Sequence, residues 1–217
     1  MCESALTDGA IWHSYRGGHA PVAGRATGST DVGGLQSGES AKLAAFSPQW
    51  NTGFKQGTFA TLTCPAWMMG YIKDQAPKTA GKWDIASVPG GGGNWGGSFL
   101  AVPKQSRHQK EAYDLAAWLT APEQELAVFK ELGNLPSQPQ LLDNPAVAAL
   151  KNPFFNNAPV GQIFGTSAKT LQPQYLGPKN GPVRQAVENA LRRVEQGQQG
   201  SDAAWSQAVR DARRVAT

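Results

Sequence analysis

Long apolar runs are absent from this sequence. No stretch of roughly 18 apolar residues occurs in its 217 positions, so none of it reads as a membrane-spanning helix. The amino terminus, Met1-Cys2-Glu3, lacks the basic and apolar regions of an export signal. Cysteine is nearly missing too. Cys2 and Cys64 are the only two, with no C-x-x-C spacing, which excludes a disulfide framework and leaves the redox compartment open. The three histidines, His13, His19 and His108, stand apart from other donors, so neither a metal site nor a cofactor is expected. Charge is also scarce, at 17% of residues, too low for a chain kept unfolded by solvation.

Signatures of catalysis are equally thin. There is no G-x-S-x-G elbow and no plausible Cys-His pair. Glu123 and Glu125 fall at a helix start, where carboxylates complement the dipole. Asp74 and Asp84 stand alone, and Cys64 lies in an apolar strand, as a small buried hydrophobe would. The net charge of +4 arises partly from Arg184, Arg192, Arg193, Arg210, Arg213 and Arg214. Glu188, Glu195, Asp202 and Asp211 interleave with them. That mixture reads as a solvated helix face, not a nucleic-acid stripe.

What is present divides the chain unevenly. Residues 1–40 are dense in Gly, Ser, Thr and Ala without a sustained period, and read as weakly structured or foreign to the rest. From Ala41 onward an α/β pattern emerges. Strands are expected over Thr58–Cys64, in "KWDIASVP" and in "SFLAVP", each stopped by proline. Helices follow. Ser106 and Gln109 have capping-box spacing ahead of an apolar stripe of Ala112, Leu115, Ala116 and Leu119. Thr120 and Glu123 repeat the capping-box spacing ahead of a second helix that Gly133 stops, and Asn144-Pro145 opens a short third. Val183, Ala186, Val187, Ala190, Leu191 and Val194 share a helical face. Ser201 caps a last helix with Ala204, Trp205, Ala208, Val209 and Ala212 inward. The stretches "NPFFNNAPVGQIF" and "LQPQYLGPKNGP" read as loops bearing aromatics, a placement that favours binding.

The segment "PGGGGNWGGSF" contains Gly91, Gly93 and Gly96 in G-x-G-x-x-G spacing. A dinucleotide fingerprint needs a helix after it, to offer amide donors to the pyrophosphate. Strand-like "SFLAVP" follows instead. Two readings remain: a flexible connection, or a loop whose bare backbone approaches a ligand beside Asn94 and Trp95. Of seven tryptophans, Trp118 and Trp205 lie on helices as core or partly buried residues, and Trp83 begins a strand. Trp67 ends a strand and Trp95 sits among glycines. Either can be ordinary core. Either can also stack on the apolar C–H face of a sugar, with Asn and backbone amides serving its hydroxyls.

The order of "FKQGTFATLTCPAWMMGYI", "KWDIASVPGGGGNWGGSFLAVP" and "KELGNLPSQ", followed by a capped helix pair, resembles the C-terminal half of bacterial extracellular solute-binding proteins of ABC sugar importers. The cellobiose and xylo-oligosaccharide group is the nearest in flavour. The resemblance covers Ala41 to Thr217. It implies a type II periplasmic-binding-protein-like fold, truncated, with most of the N-terminal lobe missing. Residues 41–96 and 134–217 would form the C-lobe and 97–133 a remnant of the N-lobe. It further implies a monomeric, non-enzymatic protein that binds an oligosaccharide such as cellobiose or xylobiose and docks on membrane permease subunits. The ligand contacts it implies are Trp67, Asn94, Trp95, Gly96, Gly97, Phe155 and Tyr175. Relatives are extracellular or lipid-anchored, whereas the lack of a visible export signal leaves cytoplasmic retention open for this chain. A lone lobe would bind sugar weakly and leave Phe99, Leu100, Leu115 and Leu119 exposed. The rival readings are a glycosidase built on the same aromatic platform, or a gene fragment without function.

Overall fold

A computed structural model describes residues 40–87, 93, 95, 97–171 and 177–216, together with the backbone of 8–13. These fall into two compact units, one holding 8–13 and 51–171, the other 40–50 and 177–216.

The first unit is α/β. Its strands are β1 (Asp8–His13), β2 (Thr61–Pro65) and β3 (Trp83–Ala86), in the order β2-β1-β3 with β1 antiparallel to both neighbours. Ile11 aligns with Leu62 on one side and Ile85 on the other. A strand within residues 1–40 departs from the expectation for that stretch, where no alternating pattern announces it. Helix α1 (Pro48–Gln56) enters this unit at Asn51, and α2 (Met68–Gln75) follows β2 directly. Their core is Phe54, Met68, Met69, Ile72 and Trp83, all fully buried or nearly so. Burying Trp83 requires a partner for its indole N–H. That N–H donates to the Thr79 hydroxyl at 2.8 Å, and the hydroxyl in turn donates to the Ala76 carbonyl at 2.7 Å. Cys64 is buried in β2, as a small hydrophobe.

The helices after β3 match their start and stop signals unevenly. Helix α3 (Gln109–Leu119) begins without the expected capping box. Gln109 instead donates its side-chain amide to the Lys104 carbonyl, and Ser106 accepts from the His108 amide. Helix α4 (Pro122–Leu132) also begins without its expected Thr120 capping box, since Ala121 stands at the N-cap. Thr120 instead donates its hydroxyl back to the Ala116 carbonyl. The helix ends at Gly133 with φ +79°, as expected. The Asn144 side chain caps α5 (Pro145–Ala148) by accepting from Ala146 N at 2.8 Å. "NPFFNNAPVGQIF" is not a loop throughout. It folds into a short 3₁₀ turn at Pro153–Phe155 and then α6 (Val160–Lys169), which buries Val160, Phe164 and Ala168. Gly161 makes that packing possible, because a Cβ there would lie 1.7 Å from the Val147 carbonyl oxygen.

The second unit holds α7 (Asn180–Glu195) and α8 (Ser201–Ala216). Ala190 and Val194 of α7 pack on Ala204 and Ala208 of α8. Alanines at this seam let the backbones approach closely, and the short Gln196–Gly200 connection makes the pair an antiparallel hairpin. Gly197, at φ +69°, closes α7 by donating to the Val194 carbonyl. Trp205, expected inward, is 61% exposed. It lies one residue off the Ala204–Ala208 stripe, about 100° around the helix.

Residues 97–133 depart most from a packed core. "SFLAVP" forms no ladder among the described residues. No residue of α3 is buried. Phe99 is 73% exposed and Trp118 58%, and Leu100, Tyr113, Leu115, Leu119 and Leu132 are exposed as well. The face foreseen from Phe99, Leu100, Leu115 and Leu119 is therefore open, and Trp118 joins it.

Two outcomes follow. The purified chain should brighten an environment-sensitive hydrophobic dye strongly, because apolar patches of this extent bind such dyes; flat fluorescence would contradict the open face. Gly161→Ala should lower stability by about 3 kcal/mol in a denaturant melt, through overpacking against Val147.

Candidate functional site

Pro65 ends β2, and the chain turns at once into α2, with Trp67 as the residue before the first helical position. The flanking residues Ala66, Met68 and Met69 are buried, whereas Trp67 itself is half-buried. Its backbone is thus anchored in the core while part of the indole reaches the surface. The Trp67 N–H donates to the Trp95 carbonyl at 3.1 Å. The two rings meet edge to face, with centroids 5.7 Å apart and planes at 69°, a favoured arrangement for aromatic quadrupoles. Trp95 remains 36% exposed. Two residues on, Gly97 takes φ +112°, a conformation that a side chain would strain. Trp95 is therefore tied to the end of β2 by this hydrogen bond and this ring pair.

Helix α4 supports this platform from below. Gly133 sits against the Ala66 carbonyl and Met69, and a Cβ there would come within 2.8 Å of Met69 Cε. Glu125, expected only to complement a helix dipole, does more. Its carboxylate accepts from the Ser137 hydroxyl at 2.6 Å, the Ser137 amide at 3.0 Å and the Gln138 amide at 3.3 Å. One turn after Trp67, Tyr71 of α2 donates its hydroxyl to the Asn51 side-chain carbonyl at 2.7 Å. Neither Glu125 nor Tyr71 stands out in the sequence. A carboxylate three residues into a helix and a tyrosine in an amphipathic one have ordinary explanations there.

The sequence-derived contacts separate clearly. Trp67 and Trp95 come together, and Gly97 lies beside them in the chain. Phe155 does not join them. It has no accessible surface, packs on the Phe154 ring at 5.1 Å, and belongs to the core. The Asn152 side chain explains this: it accepts from the Phe154 amide at 3.1 Å and folds the two phenylalanines inward. Asn94, Gly96 and Tyr175 lie outside the described residues. Asp84, one of the lone acids, accepts from the Ile85 amide and from Asn156. Among the described residues no cluster of three or more His, Cys, Asp or Glu could hold a metal ion. No helix among them is long and apolar enough to cross a membrane.

Residues 36–156 match the family of bacterial extracellular solute-binding proteins. A solved extracellular solute-binding protein of family 1 is 49% identical, with a TM-score of 0.74 over 86% of this chain and 48% of its own. An ABC-transporter-associated binding protein from B. animalis subsp. lactis, solved with β-1,6-galactobiose, is 22% identical, with a TM-score of 0.67 over 84% and 47%. A sugar-binding protein from Xanthomonas citri is also 22% identical, with a TM-score of 0.62 over 85% and 47%. No curated protein matches. The chain spans about half the length of these solved structures. It belongs to the bacterial extracellular solute-binding proteins, and its fold is that of the periplasmic sugar-binding proteins.

Trp67→Phe keeps a ring but removes the donor to the Trp95 carbonyl. Amides from Trp95 to Phe99 should then exchange with solvent faster, with a stability loss of about 1 kcal/mol. Hydrogen-exchange mass spectrometry reads the first and a denaturant melt the second.

Proposed function

We propose that this member of the solute-binding family carries the oligosaccharide platform of an ABC importer's receptor, acting outside the cell and delivering sugar to membrane permease subunits. The observation that carries the reading is the Trp67–Trp95 pair. The Trp67 N–H is already occupied by the Trp95 carbonyl, so this indole offers a sugar its ring and not its donor. Apolar C–H faces of pyranoses suit such a surface, and hydroxyls are then read by polar groups around it. Solved relatives in complex with β-1,6-galactobiose and with maltotetraose support an oligosaccharide as the solute. Cellobiose and xylobiose are the proposed ligands. Glu125 and Asp84 are engaged in holding turns, and nothing favours a glycosidase.

The 217-residue chain alone is proposed to bind weakly. Affinity in a pocket depends on enclosing most of the ligand and satisfying its polar groups, and one wall does neither. Titration calorimetry with cellobiose and xylobiose should give a Kd above about 1 mM; micromolar binding would overturn the one-wall account. Sugar at high concentration should change the tryptophan fluorescence of the chain, and Trp95→Ala should abolish most of that change. An equal response in Trp95→Ala would remove the pair from the binding role.

A further inference from the structure

The chain's excess of positive charge collects in the described part of the second unit. Residues 40–50 and 177–216 hold eight of the 20 Lys and Arg residues but only four of the 16 Asp and Glu. The twelve of each elsewhere cancel, so these residues carry the whole net charge of +4. Most of their acids are already engaged. Glu188 pairs with Arg184 at 3.2 Å, Asp211 pairs with Arg214 at 3.2 Å, and Glu195 accepts from the Ser40 hydroxyl. Arg210 and Arg213 are exposed, and neither has an acidic partner among the described residues.

Both arginines lie on the outward side of α8. The seam with α7 runs through Ala204 and Ala208. At about 100° per residue, Trp205 comes next around the helix from that seam, then Arg213, then Arg210. Trp205 is 61% exposed, and Arg213 lies about 12 Å further along the axis. Asp202 flanks Trp205 in the first turn, so the positive end of the face is the C-terminal one. This face suits a surface that is negative and has apolar depth just beneath its charge. A guanidinium meets phosphate through a planar fork of donors. An indole, apolar in body and polar at one tip, settles where hydrocarbon meets water. A bilayer with anionic headgroups supplies both. Single-stranded nucleic acid favours several rings along a groove, and the other described rings of this unit, Phe46 and Trp50, pack on each other with centroids 5.2 Å apart.

We propose that the face of α8 bearing Trp205, Arg210 and Arg213 docks on an anionic phospholipid bilayer. It goes beyond the sugar platform and does not depend on it. The test is flotation of the whole chain, without sugar, on vesicles of phosphatidylcholine alone and of phosphatidylcholine mixed with phosphatidylglycerol. Binding should appear only on the mixed vesicles and fade as salt rises. Arg210→Gln combined with Arg213→Gln should weaken it by roughly thirtyfold, the worth of two charges drawn to the surface. Trp205→Ser should weaken it several-fold with an unchanged melting temperature. Trp118→Ser, on the open face of the first unit, should bind as the wild type does. Equal binding to phosphatidylcholine vesicles would overturn the inference, as would wild-type binding by the double arginine variant. Loss of binding in Trp118→Ser with none in Trp205→Ser would overturn it too. Binding to duplex DNA or polyglutamate through the same arginines, with no vesicle binding, would give the face a different anionic partner and sink the bilayer. Each failure leaves the oligosaccharide reading standing, because no sugar is present.

Discussion

Gly133 occupies its place only because it has no side chain. It combines a left-handed backbone with an approach to Met69 that a Cβ would block at 2.8 Å. That single close approach brings the end of α4 against the first turn of α2, and Trp67 is the residue just before that turn. The tryptophan is thus held by its buried chain neighbours Met68 and Met69 and by the Trp95 carbonyl that accepts a hydrogen bond from its indole N–H. Any larger residue at 133 would strain the backbone and push α4 away, and the platform would lose its support before it lost a ring.

The core shows the same economy with polar atoms. Trp83 and Phe54 are the two largest fully buried side chains of the first unit, with ring centroids 5.8 Å apart. A buried indole N–H left unpaired would cost about 1–3 kcal/mol. The chain from Trp83 to Thr79 to Ala76 avoids that cost within a few residues of sequence. Phe155 joins this interior because Asn152 caps the turn before it. An aromatic in a stretch without periodicity signals binding only when it is exposed, and capping by a neighbouring side chain decides that exposure. Phe155 thus illustrates how a local hydrogen bond can convert a loop aromatic into a core residue.

Residues 97–133 show the reverse. Their apolar stripe was legible, with Leu115 and Leu119 at helical spacing, and so was the expectation that it would be exposed. Helix α3 forms with no residue buried, whereas α4 buries Phe129 and leaves Leu132 exposed, and the Glu125 clasp on Ser137 holds its end. Trp205 is a different case. A five-residue inward set was read where only Ala204 and Ala208 are buried, because a seam of alanines is narrower than a seam of large side chains.

Punctuation and period were local properties, and the sequence by itself determined them. Proline stops, the Gly133 cap, the Asn144 cap and the alanine faces of α7 and α8 all follow from short-range sterics and hydrogen bonding. The order of motifs likewise determined the family, since "CPAW", "VPGGGGNWGGSF" and "GNLPS" are recognisable without coordinates. Only the tertiary structure decided which aromatics face outward and which polar groups meet. Trp67 and Trp95 are 28 residues apart in the chain, and Glu125 and Ser137 lie on either side of a helix end. No periodicity encodes such pairs. They exist because burial of the residues between them leaves one place for each backbone, and the hydrogen bonds form where those places coincide.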